Sequence, residues 1–280
     1  MKLAQKIALN YIRAKLSILA VLSKQKAAEA AMKIFSTPFR KSTKQTPPVF
    51  KKAETLSFKQ DGHTIRGHRW NFGREKKLLI IHGFESSSIN FDRYIIPLVK
   101  KGFEVLAFDA PAHGRSGGKE VNLLMYVKML HRIYDLYGPF HGYLSHSFGG
   151  LAVTHFLESV VHDEQVRLVL IAPATESTSA INSFFKILQL GIDIRKEFDQ
   201  LILTKSGVSP DHFSIRRAIK NIKAKILWLH DEDDELTPIE DALKVKADNH
   251  SNVEFVITKG LGHRKIYREN MVVKRIIEFC

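Results

Sequence analysis

The hexapeptide Ser145-His146-Ser147-Phe148-Gly149-Gly150 lies between an apolar run, Phe140 to Leu144, and a helix-compatible run, Leu151 to Leu157. The first run predicts a buried strand and the second a helix, so the chain must reverse within the few residues between them. A serine at the apex of such a turn, Ser147, is lifted clear of the sheet. The first N–H groups of the following helix, beginning with that of Phe148, have no acceptor within the helix and point at whatever Ser147 attacks. An ordinary strand-to-helix turn looks much the same over six residues, so the rest of the chain must separate the two readings.

On either side of this stretch the chain alternates. Glu54 to Phe58 and Thr64 to Trp70 flank Gln60-Asp61-Gly62 and predict a hairpin. Leu78 to Ile81, Phe103 to Phe108, Phe140 to Leu144, Val166 to Ile171, Ile226 to Leu229 and Val253 to Ile257 are short apolar or β-branched runs. Helical patterns lie between most of them, at Phe91 to Lys101, Leu123 to Leu136, Leu151 to Val161, Ile239 to Ala247 and Lys265 to Phe279. Strands alternating with helices imply an α/β fold, an eight-stranded mostly parallel sheet covered on both faces. One interval breaks the alternation. Between about residues 174 and 223, Ile181, Phe184, Phe185 and Leu188 recur at helical spacing, as do Ile215, Ile219 and Ile222, and Ser209-Pro210 reads as a helix start. This excursion is expected to form a helical cap over the carboxyl edge of the sheet.

The net charge of +14 is unevenly placed: residues 1–52 hold twelve Lys or Arg and one acid, leaving +3 for the other 228 residues. The pattern from Met1 to about Phe35 is helical, with a polar stripe of Lys2, Lys6, Asn10, Arg13 and Ser17 opposite Leu3, Ile7, Leu9, Ile12, Leu16 and Leu19. Such a helix suits an anionic membrane surface, or docks its apolar side on the protein's own body, which is the simpler expectation. A signal peptide fits worse, because the apolar core is short and Lys24-Gln25-Lys26 closes it. Ser36 to Pro48, with three prolines, reads as a linker, which gives an arm and linker over 1–52 and a main domain over 53–280. No recognition helix or RNP-like strand is visible, so no specific nucleic acid is expected. The single cysteine, Cys280, excludes an intrachain disulfide. With no apolar run long enough to span a bilayer, the expectation is a cytoplasmic protein, peripheral at a membrane if the arm engages lipid.

In a parallel sheet the chemistry gathers beyond the carboxyl ends of the strands. There stand His82-Gly83-Phe84, then Asp109-Ala110-Pro111-Ala112-His113-Gly114-Arg115-Ser116, then His230 to Pro238 with five acids, and finally Gly260-Leu261-Gly262-His263. These four loops and the Ser147 turn resemble the α/β-hydrolases, over roughly residues 54–279. Ser145-His146-Ser147-Phe148-Gly149 is similar to their G-x-S-x-G elbow, and the next two loops to H-G-x and D-x-P-G-H-G-x-S. Ser145, Ala112 and Asp231 stand where that family prefers glycine. The resemblance implies a catalytic Ser147, Asp234 and His263, with the N–H groups of Phe84 and Phe148 as oxyanion hole. Asp233 is the alternative acid, since spacing alone does not separate neighbours. His113 reads as structural. Phe184, Phe185 and Phe198 of the cap are expected to line a pocket for an apolar acyl group. The implied reaction is cofactor-free and metal-free cleavage of a small-molecule carboxylic ester or thioester; the competing reading is a non-catalytic binding protein with the same fold, tethered by its basic arm.

Overall fold

The apolar runs pair into one sheet because each carries side chains that must be buried on both faces. The structure, a computed structural model, describes residues 3–39 and 45–280. Residues 1, 2 and 40–44, which include Lys2 and part of the expected linker, lie outside the described residues, as do the side chains of 3–5. The strands are β1 (Glu54–Gln60), β2 (His63–Trp70), β3 (Lys77–Ile81), β4 (Glu104–Phe108), β5 (Gly142–His146), β6 (Arg167–Ile171), β7 (Lys225–Asp231) and β8 (Val253–Thr258). The helices are α1 (Leu3–Leu22), α2 (Lys24–Ser36), α3 (Asp92–Lys100), α4 (Leu123–Tyr137), α5 (Phe148–Glu158), α6 (Ser177–Leu188), α7 (Ile192–Ser206), α8 (Ile215–Ala218), α9 (Ile239–Ala247), α10 (Gly262–Lys265) and α11 (Asn270–Phe279).

The expected eight-stranded sheet is present, in the order β1-β2-β4-β3-β5-β6-β7-β8. β2 is antiparallel to both β1 and β4, and every other pair is parallel. Asp61 and Gly62, at φ of 48° and 77°, make the tight turn between β1 and β2. Along the parallel strands alternate residues go to opposite cores. Leu79, Ile81, Tyr143, Leu168 and Leu170 pack with α4 and α5, while Leu78, Ile80, Leu144, Val169 and Ile171 pack with α3 and α11. Both faces are covered, which is why these runs read as continuous apolar stretches rather than as alternation.

The chain divides into two compact units: a sheet unit, Pro38–Thr175 with Ile215–Cys280, and a helical unit, Glu176–Ser214 with the chain up to Thr37. The single N-terminal helix expected from the pattern is two helices. Ser23 adopts an extended conformation (φ −163°) and its Oγ accepts from the Lys26 N–H at 3.2 Å, capping α2. Ala27, Ala28 and Ala31 of α2 are buried in a core with Leu16, Ile181, Phe185, Leu188, Ile194 and Phe198. The Arg13 guanidinium donates to the Ile187 carbonyl (2.6 Å), and Lys24 pairs with Asp193 (2.6 Å). The N-terminal helices thus dock on the protein's own α6 and α7.

This arrangement corrects two expectations. Phe198, expected to line a pocket, is fully buried, Phe185 is buried and Phe184 half-buried, and ring contacts join Phe35 to Phe184 (5.1 Å), Phe35 to Phe198 (5.8 Å) and Phe185 to Phe198 (5.2 Å). Their apolar surface is taken up by the N-terminal helices, partners more than a hundred residues away in sequence. Ile215, Ile219 and Ile222, expected in the cap, belong to the sheet unit's core with α5. Ser209-Pro210 opens only a three-residue 3-10 turn, Pro210–His212. Replacing a fully buried phenylalanine by alanine costs about 3–5 kcal/mol. Phe198→Ala is expected to speed amide hydrogen exchange throughout α1, α2, α6 and α7, with the sheet strands keeping their protection.

Candidate active site

The turn after β5 is strained and firmly held. Ser147 sits at φ 55°, ψ −125°, a backbone conformation that costs a non-glycine residue about 1–3 kcal/mol. Its N–H donates to the Ile171 carbonyl (3.0 Å), and its own carbonyl accepts from Gly150 (2.9 Å) and Ala174 (3.1 Å). Ser145 fits where the resemblance prefers glycine. It is fully buried, and its hydroxyl donates to the Val169 carbonyl at 2.8 Å, so no polar atom is stranded. Two glycines set the approach of neighbouring chain segments. A Cβ on Gly83 would lie 2.8 Å from the Ser147 Cβ, and one on Gly149 would lie 2.5 Å from the His82 carbonyl oxygen.

The structure brings Ser147, His263 and Asp234 together from three strand ends. His263 Nε2 is 3.0 Å from Ser147 Oγ, and its Nδ1 is 2.8 Å from Asp234 Oδ2. The carboxylate can only accept, so Nδ1 carries the proton and Nε2 faces the serine hydroxyl as an acceptor. Asp234 also accepts from the Leu236 and Thr237 N–H groups and from the Thr237 hydroxyl (2.9, 2.9 and 2.8 Å). Burial alone would raise its pKa; these hydrogen bonds and the His263 imidazole outweigh burial and hold it at about 2. Asp233 does not reach His263. Its Oδ2 accepts from the Gly260 N–H at 2.9 Å instead.

Asp231, the third departure from glycine, is the residue whose part sequence reasoning missed. Its buried carboxylate accepts four hydrogen bonds: from the N–H groups of Gly262 (2.8 Å), Leu261 (3.1 Å) and Asp233 (3.1 Å), and from the Thr258 hydroxyl (2.7 Å). It therefore ties the end of β7 to the loop that carries His263. The signal available in sequence was an acid at a strand end where glycine is usual. On the other side His146 donates from Nε2 to the His263 carbonyl (3.0 Å) and lays its ring 4.7 Å from the His263 ring.

The N–H groups of Phe84 and Phe148 have no hydrogen-bond partner among the described residues. The loop bearing Phe84 is fixed by imidazoles. His82 accepts the Ala110 N–H on Nε2 (2.9 Å) and donates from Nδ1 to the Gly83 carbonyl (2.7 Å). His113 accepts the Glu85 N–H on Nε2 (3.0 Å) and donates from Nδ1 to the Pro111 carbonyl (2.9 Å). Asp109 holds the Ser88 and Arg115 N–H groups, both at 2.8 Å. Ala112 takes the left-handed conformation (φ 65°) that explains the usual glycine there. Burial keeps the imidazoles neutral, lowering His113 to about 4 and His146, with His263 adding to the effect, to about 3. Among the described residues no three His, Cys, Asp or Glu side chains converge as a metal site.

Compared with known families, the chain matches the serine aminopeptidase S33 family over residues 74–201. The solved structures that resemble it include an esterase of Pyrococcus furiosus, 22% identical with a TM-score of 0.63, the match covering 87% of this chain and 95% of that one. Mouse alpha/beta hydrolase domain-containing protein 10 is 20% identical with a TM-score of 0.59, over 80% of this chain and 96% of that one. The chain has the α/β-hydrolase fold. A thioesterase domain from the curacin biosynthetic pathway shares this α/β-hydrolase fold at 17% identity, with a TM-score of 0.57, over 81% of this chain and 98% of that one. A comparison with curated proteins finds no match.

Two measurements test the site's construction. Asp231→Ala leaves buried donors without an acceptor, which costs about 1–3 kcal/mol; a lower urea midpoint and faster amide exchange at residues 260–263 are expected. The lowered pKa values of His113 and His146 also set a pH dependence. The unfolded imidazoles, with pKa 6.5, bind protons that the folded ones refuse, so their contribution is fully present above pH 6.5 and is lost as pH falls toward about 4 and 3. Asp234 adds a second loss, below its ordinary 3.8 and through about 2. The urea midpoint should therefore fall steadily from about pH 7.5 to about pH 5; a flat profile contradicts buried neutral imidazoles.

Proposed function

We propose that this protein is a serine hydrolase that cleaves a carboxylic ester or thioester of a small, largely apolar molecule through an acyl-enzyme. The observation that carries this reading is the continuous hydrogen-bonded line from Ser147 Oγ through both nitrogens of His263 to Asp234. A serine hydroxyl is a weak nucleophile until a base takes its proton during attack. His263 Nε2 takes that proton as Ser147 Oγ bonds to the substrate carbonyl carbon. Asp234 keeps the imidazole in the required tautomer and stabilises the imidazolium. The negative charge that develops on the carbonyl oxygen is received by the N–H groups of Phe84 and Phe148; one such donor contributes about 3 kcal/mol. Collapse of the tetrahedral adduct breaks the bond to the leaving oxygen or sulfur, which His263 protonates. Water, deprotonated by His263, then releases the acid and restores Ser147.

With Phe185 and Phe198 buried in the core of the helical unit, the preference for an apolar acyl group rests on the half-buried Phe84 and Phe148 beside Ser147. The esterase and thioesterase among the similar structures agree with this class of bond. The match to a serine aminopeptidase family adds amides to the bonds worth assaying.

A fluorophosphonate probe is expected to label the protein at Ser147, with labelling lost in Ser147→Ala and His263→Ala. Asp234→Asn frees His263 to take the wrong tautomer and is expected to lower kcat on p-nitrophenyl esters by roughly three to four orders of magnitude. A folded protein that takes up no probe and turns over no ester, thioester or aminoacyl anilide is a binding protein instead.

A further inference from the structure

Helix α1 is apolar on two opposite sides. One is the side already described, where Leu16 is fully buried and Leu9, Ile12 and Leu19 are half-buried against α2, α6 and α7. On the other, Ile7, Tyr11, Ile18, Val21 and Leu22 are 61, 69, 64, 87 and 76% exposed. At 3.6 residues per turn these five fall within about 100° of arc, and they span roughly 22 Å along the axis. Single exposed apolar residues are normal on a protein surface; a row of large ones along one helix marks a contact. The polar stripe Lys6, Asn10, Arg13 and Ser17 lies between the two apolar sides, so one polar and one apolar face describe this helix incompletely.

Charge selects the partner. α1 and α2 carry Lys6, Arg13, Lys15, Lys24, Lys26 and Lys33 against a single acid, Glu29. Arg13 and Lys24 are engaged within the helical unit, whereas Lys6, Lys15, Lys26 and Lys33 are exposed. A second copy of the chain would set like-charged helices against each other. An anionic bilayer offers both acyl chains for the apolar row and headgroups for the lysines. Among the described residues no helix is long and apolar enough to cross a membrane. We propose that α1 lies in the plane of an anionic lipid surface, with Ile7, Tyr11, Ile18, Val21 and Leu22 at the headgroup–acyl boundary. This surface is independent of the hydrolase reading.

The test is co-sedimentation of the full-length protein with sucrose-loaded vesicles of phosphatidylcholine, with and without phosphatidylglycerol. Retention is expected on the anionic vesicles only, weakening as salt is raised. It should fall at least tenfold in Ile18→Glu/Leu22→Glu, which leaves the docked side of α1 intact. Circular dichroism and turnover of a soluble ester serve as fold controls, since neither residue belongs to the site. No retention of the unaltered protein overturns the proposal, and so does a double variant that binds as well as the original, which would reduce the effect to charge alone. A dimer in light scattering that the double variant converts to monomer, without vesicle retention in either, assigns the face to a second copy and overturns the proposal equally.

Discussion

The constraint on which the site depends is the approach of the loop after β3 to the turn after β5, close enough that neither Gly83 nor Gly149 has space for a Cβ. Any larger residue at position 83 would press on Ser147 itself. That proximity sets the loop carrying Phe84 beside the turn carrying Ser147 and Phe148, whose ring lies 6.2 Å from that of Phe84. It is maintained from behind by imidazoles that work as neutral hydrogen-bond hinges, each using one nitrogen as acceptor and the other as donor. A protonated imidazole offers only donors, so the arrangement around His82 and His113 requires that they stay uncharged. Burial supplies that condition.

Much of this was legible in the chain. Short apolar runs ending in loops rich in Gly, Ser, His and Asp identify both the parallel sheet and the edge where chemistry gathers, because strand-end loops need small or capping residues whatever their function. Ser147 could be singled out by its place at the apex between the strand and helix runs, and His263 as the one histidine of its loop. Asp234 could be chosen over Asp233 only through the resemblance, since five successive acids carry no internal spacing signal; in three dimensions one of them faces His263 and the other bonds the backbone of Gly260. The fourfold acceptor role of Asp231 was invisible for a related reason. Its partners are mostly backbone N–H groups, which every residue possesses and no sequence displays.

The helical excursion was legible as helices but not as a unit. A periodic apolar face says that something covers it, never what. Phe184, Phe185 and Phe198 therefore suggested a ligand, whereas their partners are Phe35 and the alanine face of α2. The same ambiguity applied to α1, whose apolar content is divided between docking inward and facing outward. The elbow itself raised the opposite difficulty. Ser145 looked like an obstacle where glycine is usual, and the β6 carbonyl that accepts its hydroxyl is supplied by a segment more than twenty residues further on.

The helical unit joins the beginning of the chain to a segment far downstream: Arg13 and the carbonyl it holds are 174 positions apart. During synthesis at about 5–20 residues per second, the N-terminal helices therefore emerge roughly 10–35 s before their partners exist. For that interval the side of α1 around Leu16 lacks its cover from α6 and α7, and only α2 is at hand to pack on it. α1 leaves the ribosome well before the segment it packs against, so an encounter with a chaperone or a lipid surface would precede completion of the fold. Folding order, and not only final geometry, thus decides what α1 meets first.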